Sequence, residues 1–138
     1  MTQPPSPDAI ASALRELLPD TRAAWLFGSA AKGHWQPGSD LDIAVGLSRA
    51  WATTERLSVA ERLTARFGMD VDLLDFHRLH TVMQVQIIGT GRLLFSLDPV
   101  QLTQYQGFLH TEYQHMQRWR QPMIKQLAQR LLTQDATP

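Results

Sequence analysis

Two aspartates one residue apart, Asp40 and Asp42, stand at the head of an apolar run, Leu41 to Val45. That spacing constrains the chain more than any other feature. Side chains alternate faces along a strand, so residues two apart project together. Asp40 and Asp42 therefore share one face, while Leu41 and Ile43 turn to the core. Parallel carboxylates repel and raise each other's proton affinity, so the pair points to a cation held between them. Hard oxygen ligands suit Mg²⁺ or Mn²⁺, and Mg²⁺ is commonly held by one or two carboxylates plus substrate phosphates.

The residues before the pair supply a complementary half. Ala23 to Phe27 is apolar and predicts a short buried strand, and Gly28-Ser29 turns the chain after it. A glycine there permits a positive φ or a close approach to a ligand. Ser29 predicts the cap of a short helix from Ala30 to Gly33, whose first N–H groups would form a phosphate site. Lys32 adds a positive charge. His34 and Trp35 lie between the two halves, and Trp35 is expected to pack half-buried rather than stack on a base.

Gly28-Ser29, ten intervening residues and then Asp40-Leu41-Asp42 resembles the nucleotidyltransferase signature of the DNA polymerase β superfamily. The resemblance implies that Gly28, Ser29 and Lys32 bind the nucleotide and that Asp40 and Asp42 are catalytic metal ligands. A two-metal site needs a third carboxylate, because metals about 4 Å apart clamp the attacking and leaving oxygens. Met69 to Asp75 offers three, and strand parity groups Asp70 with Asp72 and sets Asp75 on the other face. The resembled family places its third acid in a Val-Asp-Leu type of strand. Val71-Asp72-Leu73 matches it, which implies Asp72 as the third ligand, with Asp70 in reserve and Asp75 a strand-end residue.

Composition limits the partners. The 138 residues suffice for one domain with one core. The chain has no cysteine, which excludes disulfides and thiolate metal sites. His77 and His80 lack the partners of a zinc set and read as surface or capping residues. Thirteen basic residues balance thirteen acidic ones, whereas a protein that grips long nucleic acid usually shows a basic excess. Neither a membrane-length apolar run nor a signal sequence is present. The expectation is a cytoplasmic protein with no nucleic-acid or membrane partner.

The remaining pattern predicts alternating helices and strands in a single α/β or α+β layer structure. Ser6 caps a first helix with Pro7 at its first position and Ile10, Ala13, Leu14, Leu17 and Leu18 on its apolar face. A second helix begins between Arg49 and Thr54, buries Leu57, Ala60, Leu63 and Phe67, and stops at Gly68. A strand over about 70–76, a helix over 79–88 and a strand over 92–96 follow. Asp98-Pro99 opens a long helical segment with a stripe of Leu102, Tyr105, Leu109, Tyr113, Met116 and Trp119. Pro122 should kink or split it, and Met123, Leu127 and Leu131 continue on a second piece. This predicts a disordered tail over 1–6, a core over 7–97 and C-terminal helices packed on it over 98–133.

At this size the chain resembles a minimal nucleotidyltransferase (MNT) protein. The resemblance implies a mixed four-stranded sheet flanked by helices. It further implies an antitoxin that uses ATP and Mg²⁺, or Mn²⁺, to transfer AMP onto a tyrosine of a cognate HEPN ribonuclease toxin. Two alternatives are a small-molecule nucleotidyltransferase of the antibiotic-modifying type, which usually carries a second domain, and a non-catalytic toxin-binding module. The aromatic and methionine face of the last helix is a candidate interface.

Overall fold

The structure, a computed structural model, describes residues 4–33 and 35–135. Its first helix, α1 (Pro7–Leu17), starts where the cap chemistry places it: the Ser6 side chain accepts from the Ala9 N–H at 3.1 Å. Ile10, Ala13 and Leu14 are fully buried. Strands β1 (Thr21–Phe27) and β2 (Leu41–Leu47) follow, then α2 (Thr53–Phe67) and β3 (Val71–Asp75). A 3₁₀ turn (Phe76–Arg78), α3 (Thr81–Thr90), β4 (Arg92–Ser96) and α4 (Pro99–Asp135) complete the chain.

The four strands form one mixed sheet in the order β3-β2-β1-β4. The β1–β2 and β1–β4 pairs are antiparallel, and β2–β3 is parallel. Strand parity divides the core in two. Leu41, Ile43 and Val45 pack with α1 and α2 on one face, and Ala23, Trp25 and Ala44 pack with α3 and α4 on the other. On the second face the Trp25 and Phe76 rings stack at 4.3 Å. Gln84, buried in α3, donates to the Phe76 carbonyl at 2.7 Å, beside the bond that the same carbonyl accepts from the Leu79 N–H within the 3₁₀ turn.

Several sequence expectations are corrected. Residues Ala30 to Gly33 form a hydrogen-bonded turn, not a helix; the Lys32 N–H donates to the Gly28 carbonyl at 3.2 Å. Leu57 is 51% exposed and Val59 is buried instead, because Leu57 lies about 120° around the helix from Leu63. The third helix starts two residues later than expected. Asp75 caps the 3₁₀ turn by accepting from the His77 N–H, which leaves Leu79 extended. The last helix runs unbroken through Pro122. Pro122 is exposed, so water can satisfy the carbonyl one turn back that its missing N–H leaves free.

That helix packs on the core only through its first third. Leu109 is buried, whereas Met116, Leu127 and Leu131 are exposed. The side chains of Trp119 and Met123, and all of His34, lie outside the described residues.

Candidate active site

The parity that divides the core also builds the site. Asp42 pairs directly with Asp72 across the parallel β2–β3 register and with Phe27 across the antiparallel β1–β2 register. Both carboxylates therefore stand on the α3/α4 face, at the end of the sheet where β1 stops and β2 and β3 begin. Asp40, two residues upstream, is exposed at the same end. It is delivered by a Gln36–Ser39 turn in which Gly38 has φ +89° and Ser39 hydrogen-bonds Gln36 twice, at 2.9 and 3.1 Å. Proline then glycine at the centre of a four-residue turn is a type II signal, and it could have been read from Pro37-Gly38.

Gly28 faces Asp42. Its φ is +72°, and a Cβ built there would collide with the Asp42 carboxylate. No other residue suits the position, since a side chain would be strained by the backbone and would displace the acid. Ser29 is half-buried in the turn after β1, and Lys32 is exposed at its end. Among the described residues Lys32 has no salt-bridge partner.

The Asp42 pKa is raised, first by burial of the carboxyl, then by the negative charges of Asp72 and Asp40. Asp42 thus feels both neighbouring acids, although no three carboxylate or imidazole groups among the described residues close into a ready metal cage. Their all-oxygen donor chemistry suits a hard divalent cation, which would relieve the repulsion at Asp42.

Asp70 and Asp75 stand differently. Asp70 precedes β3, and its carbonyl accepts from the Leu41 N–H at 2.8 Å, tying the two strand starts together. Asp75 registers with Val45 at the far end of the sheet and lies 3.6 Å from Arg78. A cavity of about 470 Å³ opens at that far end, lined by Trp25, Phe76, His77 and Tyr105 among others. It contains none of the predicted site residues; the acids occupy an open surface.

Residues 9–100 match the family described as polymerase beta, nucleotidyltransferase. The chain belongs to this nucleotidyltransferase family. It is 32% identical over 116 residues to the protein adenylyltransferase MntA of Shewanella oneidensis, covering 80% of this chain and 79% of that protein. Among solved structures, it resembles a chain of a toxin–antitoxin complex with AMP-PNP. The TM-score is 0.79 and the identity 28%, over 90% of this chain and 99% of that one. A chain of a complex between a tri-AMPylated Shewanella oneidensis HEPN toxin and its MNT antitoxin matches with a TM-score of 0.72 and 27% identity. That match covers 88% of this chain and 95% of the other.

Proposed function

We propose that this chain is an antitoxin that transfers AMP from ATP to a tyrosine hydroxyl of a cognate HEPN ribonuclease toxin. The observation that carries the reading is the Asp42–Asp72 register pair on one sheet face, with Gly28 pressed against the Asp42 carboxylate. The names of the similar chains support it: a protein adenylyltransferase, and antitoxins solved with AMP-PNP or with an AMPylated toxin.

Asp40, Asp42 and Asp72 are the residues that would hold Mg²⁺, or Mn²⁺ in its place. When bound, the ion neutralises the triphosphate so that an incoming oxygen meets less negative charge. The backbone of Gly28 and Ser29 lies against the β- and γ-phosphates, and Lys32 supplies a point charge at their edge. A free tyrosine hydroxyl has a pKa of about 10 and needs an acceptor for its proton. Asp72 orients the hydroxyl and takes that proton as the oxygen attacks the α-phosphorus. The bond from the α-phosphorus to its bridging oxygen breaks, pyrophosphate leaves, and AMP stays on the tyrosine as a phosphodiester. Positioning and fixed charge carry most of the acceleration.

An open carboxylate surface suits a macromolecular acceptor, whose own surface completes the site. A reaction that consumes ATP suits a cytoplasmic protein. No helix among the described residues is long and apolar enough to cross a membrane.

The test is label transfer in a mixture of this chain, the toxin and ATP. Label in the α-phosphate should appear on a toxin tyrosine and resist ribonuclease, while label in the γ-phosphate should leave with pyrophosphate. Label found only on a small alcohol or an RNA end would refute the protein acceptor and keep the nucleotidyl transfer.

A further inference from the structure

Asp72 stands on an edge strand. The sheet order β3-β2-β1-β4 gives β3 a neighbour on one side only, whereas Asp42 lies on β2, between two strands. Asp42 also lies against Gly28. The Asp72 carboxylate is exposed and has no hydrogen-bond or ion-pair partner among the described residues. Only the backbone of β3 therefore fixes where it stands. An edge strand leaves a row of N–H and C=O groups unpaired on its outer side, and a slip of one residue would turn Asp72 to the opposite face.

Alternate residues of β3 turn their backbone groups toward β2. Asp70 is one of them, since its carbonyl accepts from the Leu41 N–H. Val71 and Leu73, which flank Asp72, therefore turn theirs outward. Both are met from α2. The Val71 N–H donates to the Thr64 hydroxyl at 3.1 Å, and the Arg56 guanidinium donates to the Leu73 carbonyl at 2.8 Å. Both bonds are partly buried, and Arg56 makes no ion pair among the described residues. Positions 56 and 64 lie about 12 Å apart along the helix, and Val71 and Leu73 about 7 Å apart along the strand. A long side chain at one end and a short one at the other make up the difference, so α2 stands in for the missing outer strand.

We propose that Arg56 and Thr64 are positioning residues for AMP transfer: they grip the outer backbone of β3 on either side of Asp72 and hold its carboxylate opposite Asp42. The inference rests on Asp72 as the acid at the attacking oxygen, not on the identity of the acceptor. A group that must meet an incoming oxygen tolerates little displacement, since a shift of about 1 Å can cost on the order of 10²-fold in rate. ATP binding depends chiefly on the turn between β1 and β2 and on Asp40 and Asp42, which neither side chain touches.

The experiment uses the full chain with Mg²⁺·ATP and, as acceptor, the cognate HEPN toxin made inactive as a ribonuclease. Thr64→Val removes the hydroxyl at nearly unchanged shape, and Arg56→Met removes the donors and keeps most of the stem. Each should lower kcat about tenfold or more, while the KM for ATP and the circular dichroism stay unchanged. Thr64→Ser and Arg56→Lys, which keep a hydroxyl and a donor, should retain most of the rate. In an Asp72→Asn background the first two substitutions should lower the residual rate by less than about twofold, because the group they position is gone. A merely structural role would lower the Tm and leave kcat of the folded chain alone. Wild-type kcat in both folded variants would overturn the proposal, as would an equal loss with and without Asp72. Should Arg56→Met fail to fold, Thr64→Val decides by the same two criteria. Full transfer by Asp72→Asn would overturn both the proposal and the reading of Asp72 beneath it. Label on a different acceptor would reject the toxin reading alone, and the same rate ratios measured on that acceptor would decide this one.

Discussion

At the scale of the residue, Asp42 is the side chain on which the site turns. Its raised pKa means that the folded state favours the protonated carboxyl more than the unfolded chain does. Between the ordinary carboxylate value and the raised one, the folded state binds more protons, so stability falls as pH rises through that interval. Above it the cost is constant, and below the ordinary value it vanishes. Asp42→Asn should therefore fold at least as stably as wild type at neutral pH, and that advantage should fade on acidification. Thermal melts at a series of pH values without Mg²⁺ would measure this. The same substitution should lower AMP transfer on the order of 10²–10³-fold, the scale of losing one preorganised charged group. An unfolded Asp42→Asn protein, or one with wild-type transfer, would remove Asp42 from the site. Gly28 answers to the same acid: it has no side chain where one would strike the carboxylate. The positive φ at Gly28 was legible in the sequence, because a glycine at a strand end acts locally, whereas its contact with Asp42 was not, since it depends on how β1 and β2 pair. The turn after it was misread as a helix, since Ala30 and Ala31 favour helix but the run to Gly33 is only one turn long.

At the scale of the element, the question is which acid of β3 joins Asp42. Parity alone leaves Asp70 and Asp72 equivalent, because both lie on the same face. Register separates them, and register is long-range: parallel strands need a crossover, here α2, whose Gly68 cap has φ +69° and fixes where β3 begins. The pattern around Asp72 was visible in the sequence; its pairing with Asp42 was not, since it depends on how α2 packs. Asp72→Asn should cut transfer by at least about 100-fold while changing the Kd for Mg²⁺·ATP only a few-fold, because its task is at the attacking oxygen. Asp75→Asn should leave transfer intact and cost about 1 kcal/mol, since asparagine can still cap the 3₁₀ turn and the ion pair that is lost is a long one, 3.6 Å from a mostly buried Asp75 to an exposed Arg78. Steady-state kinetics and ATP titration of the two variants side by side would decide it. The reverse outcome would mean that β3 is shifted by an odd number of residues.

At the scale of the whole molecule, the chain divides into a core that makes its own stability and a helix that does not. Both sheet faces are covered by the time α4 reaches Leu109. Periodicity could find the apolar stripe beyond that point, but period says only that residues share a face, not whether anything of the same chain lies under it. The C-terminal segment packs on the core through Leu102, Tyr105 and Leu109 but leaves Met116, Leu127 and Leu131 exposed: the periodic pattern continues and the core beneath it does not. Pro122 misled in the opposite direction, since an exposed helix can lose one hydrogen bond to water and carry on. The division predicts that the core can do without the far half of α4. A chain ending at Arg118 should keep its Tm within about 4 °C of the full chain, the shift that about 1 kcal/mol produces in a domain of this size. It should also retain its affinity for Mg²⁺·ATP, because Gly28, Asp40, Asp42 and Asp72 all lie in the core. Calorimetry of the truncated chain, alone and then with ATP, reads both in one preparation. Failure of that chain to fold would mean that the far half of α4 belongs to the core and that its exposed leucines have been misjudged.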